Sequence, residues 1–174
     1  DVKEVAVSPA GDKVFTWNIE NGDGVGYISS FDEKVKVKIA SNPLTQVNID
    51  WPEANTVLLS SKASSVSSSF VYTIDTKSGL MKKVLGGMKG LTAKASHDLS
   101  KILYSTYTGG ILATSILNTK DNTTKEVIFR TLSDKCVWGN LRKNEVYCAV
   151  PTQIQDATYP DAWYKGDVSF KDQI

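Results

Sequence analysis

Four stretches of the sequence repeat one layout at nearly constant intervals. They are "VSPAGDKVF" (7–15), "IDWPEANTVLL" (49–59), "ASHDLSKILY" (95–104) and "VWGNLRKNEVY" (137–147). Each closes a short apolar run, crosses a polar turn and enters a second apolar run. The second runs begin at Val14, Val57, Ile102 and Val146, at intervals of 43, 45 and 44 residues. A period of about 40–45 residues with strand-like content is what a blade of four antiparallel strands requires.

Each unit divides further. The first reads as strands "VKEVAV", "KVFTWNI", "VGYISSF" and "KVKVKIA", separated by Gly11-Asp12, Asn21 to Gly24 and Asp32-Glu33. Those separators carry turn chemistry. The third reads as "LTAKAS", "KILYSTY", "ILATSIL" and "KEVIFR". Short β-branched and aromatic runs dominate and long 3.6-residue stripes are absent, so helix is expected to be minor. The second strands carry adjacent apolar pairs: Val14-Phe15, Val57-Leu58, Ile102-Leu103 and Val146-Tyr147. Neighbours on a strand point to opposite faces, so both faces are expected to be dry. Face-to-face stacking of blades predicts that pattern, whereas a two-layer sandwich favours cleaner alternation. The expectation is an all-β propeller segment over 1–174, with blades near 2–41, 44–86, 90–131 and 133–174. The fourth blade has sequence for only three strands, "DKCVW", "EVYCAV" and a third within "GDVSFKDQI". The chain is therefore expected to belong to a larger propeller of six or seven blades, or to have its open edge paired by another chain.

Composition excludes some function classes. Twenty basic against nineteen acidic side chains leave a net charge of +1, which supplies no field to steer nucleic acid or an anionic membrane. A 41 % hydrophobic share suffices for a core, and no run approaches a membrane span. Neither an initiating Met nor a signal pattern stands at Asp1, so a targeting or anchoring segment would lie upstream.

The residues Val7-Ser8-Pro9-Ala10-Gly11-Asp12-Lys13 resemble the "WSPDG-K-apolar" core of TolB-like, WD40-like (PD40-type) bacterial β-propeller repeats. Ala10 stands where that pattern has Asp. His97-Asp98 and Gly139-Asn140 replace the Pro-Asp pair in the third and fourth units. The stretch "CVWGNLRKNEVYCAVP" with "YPDAWYKGDVSF" also resembles a blade of uncharacterised, membrane-anchored bacterial propeller proteins. Such a resemblance implies a binding platform, or a non-catalytic domain beside a hydrolase, and licenses no chemistry by itself.

The cysteines, Cys136 and Cys148, lie symmetrically about Arg142. A hairpin centred there sets Trp138 opposite Val146 and Cys136 opposite Cys148. Directly opposed residues approach closely enough for a disulfide in an oxidising compartment. The alternative is a pair of small, buried, reduced side chains. Zinc lacks ligands, because the single histidine, His97, falls in another unit, and no Cys-x-x-Cys redox motif is present. No cofactor is implied.

Loops joining second to third strands, together with the inter-blade loops, form the face where a propeller ligand is expected. The longest, Pro151 to Gly166, carries Tyr159, Trp163 and Tyr164 with Asp156 and Asp161. Aromatics beside carboxylates on a loop suit a sugar ring or a peptide. The same rings could instead fold down as a lid over core. "SSKASSVSSSF" reads as a wide solvated hairpin, "NGDG" as a hairpin turn rather than a calcium loop, and "GGMKG" (86–90) as a flexible link. "NTT" at 122–124 is a formal glycosylation acceptor. His97 reads as a turn residue, since no Gly-x-Ser-x-Gly accompanies it.

Together these features point to a non-enzymatic binding or scaffold module of a bacterial envelope or surface protein, extracytoplasmic and anchored, if at all, upstream. Its expected partner is a protein, peptide or glycan. The alternative is the non-catalytic propeller of a peptidase-type hydrolase, gating access to its catalytic domain.

Overall fold

The computed structural model describes residues 1–142 and 145–174. Three four-stranded antiparallel sheets form in chain order, each strand pairing with its sequence neighbours. The first holds β1 (Val2–Val7), β2 (Lys13–Glu20), β3 (Asp23–Ser30) and β4 (Lys36–Asn42). The second holds β5 (Val47–Glu53), β6 (Thr56–Ser61), β7 (Ser68–Asp75) and β8 (Met81–Lys89). The third holds β9 (Thr92–Ala95), β10 (Lys101–Thr108), β11 (Ile111–Asn118) and β12 (Thr124–Glu126). The fourth repeat is shorter. A hairpin of β13 (Cys136–Trp138) and β14 (Val146–Cys148) is followed by β15 (Val150–Pro151), which pairs with β16 (Asp172–Gln173). Helix α1 (Asp161–Lys165) lies between β15 and β16, and among the described residues no helix is long and apolar enough to cross a membrane.

The chain divides into two compact units, Asp1–Lys62 with Val71–Leu85, and Ala63–Phe70 with Gly86–Ile174. The first unit centres on Phe15, Trp17, Trp51, Val57, Leu59 and Ile74. Trp17 donates its indole N–H to the Leu44 carbonyl at 2.9 Å, and Phe15 meets Trp51 edge-on. The second unit has one cluster around Leu103, Cys136, Trp138 and Cys148, and another around Leu112, Leu132 and Tyr159. Its inner strands are tied to the chain before β13 by buried hydroxyls. Thr92 and Ser105 share a 2.6 Å bond, Ser133 donates to Thr92, and Thr114 donates to the Thr131 carbonyl.

Both members of the adjacent apolar pair are buried in the second and third sheets, at Val57-Leu58 and Ile102-Leu103. In the first sheet Phe15 is buried and Val14 half-buried, and in the fourth Tyr147 is exposed.

One turn design recurs. Ser8, Ser30 and Ser96 each accept, on the side-chain oxygen, the backbone N–H of the residue five positions on, and each donates its hydroxyl to a turn aspartate. The fourth residue of each turn adopts a left-handed backbone: Gly11 (φ 70°), Glu33 (φ 55°) and Leu99 (φ 55°). In the third turn the Ser100 hydroxyl, then that of Ser96, hold the Asp98 carboxyl down at about 2. Left-handed backbone costs an L-residue about 1–2 kcal/mol, partly offset in glycine by its larger loss of freedom on folding. Glu33→Gly, at an exposed position, is therefore expected to raise the unfolding free energy by about 0.5–1 kcal/mol, read as a higher urea midpoint. A lower midpoint would contradict the turn assignment.

Two local readings change. "GGMKG" is not a flexible link, because Gly86 to Lys89 continue β8. Gly86 sits against the Phe70 ring where a Cβ would collide, so the glycine marks close packing rather than mobility. The serine-rich stretch is only partly solvated: Ala63 and Ser69 are buried, and the Ser64 carbonyl accepts the Gly90 N–H at 2.7 Å. "NGDG" forms a two-residue turn, with Asn21 (φ 52°) and Gly22 (φ 90°) between paired Glu20 and Asp23. Positive φ at both central residues is the hairpin solution that matches strand twist.

Candidate functional site

The 151–166 loop does not present its five singled-out residues as one surface. Tyr159 is 1 % exposed. Its ring lies 5.7 Å from both Tyr107 and Phe170, and its hydroxyl donates to the Gln155 carbonyl at 2.9 Å. Trp163 is half-buried against the same Leu112–Leu132–Tyr159 cluster. Tyr164 is 38 % exposed, but its hydroxyl is committed to the Asp134 carboxylate at 2.6 Å. Burial pushes the Asp134 carboxyl up, and burial with the facing Asp134 charge pushes the Tyr164 hydroxyl up as well. Asp161 opens α1 and accepts the Ser65 backbone N–H at 2.6 Å. Burial works against its ionisation, yet that bond holds its carboxyl below the usual range. Asp156 is exposed. Most of the loop's aromatic area therefore covers Leu112 and Leu132.

A second feature lies in the first unit and went unforeseen from sequence. Antiparallel connection puts the β1–β2 and β3–β4 turns at one end of the first sheet, and the β5–β6 and β7–β8 turns at one end of the second. Residues from all four turns rim a cleft of about 550 Å³. Its apolar lining is Ile28 on β3, Val35, Val37 and Ile39 on and before β4, and Trp51 on β5. Ile39 has no partner on β3, because Gly26 pairs with Ala40 and Tyr27 with Lys38. Such a bulge re-aims a side chain. Lys13 and Lys77 stand on the rim. Trp51 is 6 % exposed, and its enclosed indole N–H has no hydrogen-bond partner among the described residues. A buried donor left unpaired costs about 1–3 kcal/mol. Two of the four rim turns, β1–β2 and β3–β4, are serine- and aspartate-anchored ones described above. The cleft opens at the strand ends opposite those carrying the β2–β3 and β6–β7 loops.

Cys136 and Cys148 are joined by a disulfide, in the register Cys136–Cys148, Val137–Tyr147, Trp138–Val146, with their α-carbons 4.1 Å apart. Part of that hairpin's turn, Lys143 and Asn144, lies outside the described residues. His97 is an exposed turn residue between β9 and β10. Among the described residues no group of three or more His, Cys, Asp or Glu side chains is placed to hold a metal.

These sheets and their order match solved structures. An uncharacterised protein of Listeria monocytogenes aligns with a TM-score of 0.63 at 16 % identity, over 88 % of this chain and 47 % of that one. TolB of Acinetobacter baumannii aligns at 0.59 and 14 %, over 88 % and 42 %. The β-propeller domain of the Trilobed protease from Pyrococcus furiosus aligns at 0.58 and 13 %, over 91 % and 51 %. The fold is that of a TolB-like β-propeller. No protein-family model and no curated protein matches the chain. This propeller chain spans about half the length of the structures it matches.

Proposed function

We propose that this TolB-like propeller segment is a non-enzymatic binding module for a protein, peptide or glycan, working in an oxidising, extracytoplasmic setting of a bacterial envelope. The cleft with its apolar walls carries the reading. Its volume falls in the range of ligand pockets, and a mostly apolar lining with a few polar groups is their usual make-up. The disulfide supports the oxidising setting. Asp156 and the exposed edge of Tyr164 offer a smaller second contact on the 151–166 loop. Peptide and glycan arrays probed with the wild type and with Val37→Asp test the assignment. The wild type is expected to bind, and the variant to lose most of that signal. Binding indifferent to Val37→Asp would remove the cleft.

A second reading, the propeller half of a peptidase-type hydrolase, is favoured by the likeness to a protease propeller domain. A Gly-x-Ser-x-Gly nucleophile elbow further along the same reading frame would decide for it.

A further inference from the structure

The cleft carries a narrower inference, which rests on the binding-module reading. Strand β4 is an edge of its sheet, pairing with β3 alone. At Ile39 that edge is closed by the β7–β8 turn, where Gly79 lies so close to the Ile39 carbonyl that no side chain fits. Gly79 also has φ +73°, so glycine is required twice over. Before Ile39 the strand stays open: Val35 and Val37 are 61 % and 50 % exposed. Both line the cleft with Trp51. At the rim, Lys13 forms no ion pair among the described residues, while Lys77 feels Asp75.

We infer that the cleft takes an extended peptide laid along β4, with aliphatic side chains at alternate positions and an acidic residue beside them. A strand directs every second side chain to one face, which matches a wall built from Val35 and Val37. Strand addition at an open edge supplies main-chain hydrogen bonds, with pockets for alternate side chains giving specificity. A carboxylate of such a peptide meets Lys13 and Lys77. Apolar walls alone would suit an alkyl chain equally well; the open edge of β4 favours a peptide backbone.

The test uses fluorescein-labelled hexapeptides alternating Val with Asp, followed by anisotropy against the whole chain. Controls are the same peptides with Lys for Asp, a chito-oligosaccharide and dodecanoate. The Val/Asp peptide is expected to bind, at least tenfold more weakly to Val37→Asp, and at least fivefold more weakly at low salt to Lys13→Glu/Lys77→Glu. The Lys peptide is expected to bind at least tenfold more weakly. Urea midpoints of the variants should be unchanged, since the replaced side chains are exposed. Absence of Val/Asp binding, or binding indifferent to Val37→Asp, overturns the inference. If the oligosaccharide or dodecanoate binds instead and is lost with Val37→Asp, the peptide assignment falls and the binding-module reading stands. If no probe binds in a way that Val37→Asp abolishes, both fall.

Discussion

Tyr159→Ala is expected to lower the unfolding free energy by about 3–5 kcal/mol, the range for removing a buried aromatic side chain. Tyr159→Phe should cost only about 1 kcal/mol, the net worth of the hydroxyl's bond to Gln155. The large effect follows from position. Tyr159 touches Tyr107 on one side and Phe170 on the other, and with Leu112 and Leu132 it forms the centre of a cluster that Ile154, Ala157, Trp163 and Val168 cover. Tyr107 strengthens the arrangement by donating its own hydroxyl to the Ala157 carbonyl at 2.8 Å. Gly90, with φ +62°, lies where a Cβ would strike Tyr107 and the Tyr159 carbonyl, so the chain entering β9 is fitted to this cluster too. The measurement is urea unfolding followed by circular dichroism. If Tyr159→Ala kept the wild-type midpoint while weakening a ligand, the ring would be a ligand contact and the lid assignment would fail.

The loop illustrates a limit of reading function from residue types. Three aromatics and two aspartates within nine residues resemble a sugar- or peptide-gripping surface, and the same composition is what a lid over exposed core needs. Sequence alone does not say which way a ring points. Here it depends on α1, a single turn of helix ended by Gly166 in a left-handed conformation, which turns Trp163 inward toward Tyr159. Strands were more legible, because their signal is local. The adjacent apolar pair and the turn chemistry recur every 43–45 residues, and each occurrence marks a second strand.

The cleft was illegible for the opposite reason. Asp12, Lys13, Asn55, Thr76 and Lys77 are ordinary turn residues one by one, and they become a rim only when two sheets set four turns together. One signal was available. Ser8 and Ser30 each stand five residues before the start or approach of a strand, with an aspartate between. That spacing announces rigid turns, although it does not announce a ligand. Glycines misled where they were read only as breaks. Gly86 lies inside β8 because Phe70 occupies the space its side chain would need. Conversely, Leu99 holds a left-handed backbone that its side chain would never suggest.

Removing the disulfide, as Cys136→Ala/Cys148→Ala, is expected to cost about 3 kcal/mol on the chain-entropy estimate for a loop of this length, where the cysteines stand 12 residues apart. Local structure argues that the loss is felt in full. Among the described residues the strands of the hairpin pair at three positions, flanked by backbone bonds from Gly139 to Glu145 and from Ala149 to Lys135, and an isolated two-stranded hairpin is at best marginal in water. Its remaining anchors are few. Trp138 donates its indole N–H to the Lys94 carbonyl at 3.0 Å, and Cys136, Cys148 and Trp138 share a cluster with Leu103. The bridge closes the end of the hairpin away from the turn, so without it fraying starts at Cys136 and Cys148 and undoes their packing on Leu103 before it reaches Trp138. Reductant should therefore lower the urea midpoint of the wild type and leave that of the double variant unmoved. A thiol assay on denatured, unreduced protein is expected to find no free sulfhydryl. Two titratable thiols, or a midpoint indifferent to reductant, would mean that packing around Leu103 holds the hairpin without the bond, and the argument for an oxidising compartment would lose its support.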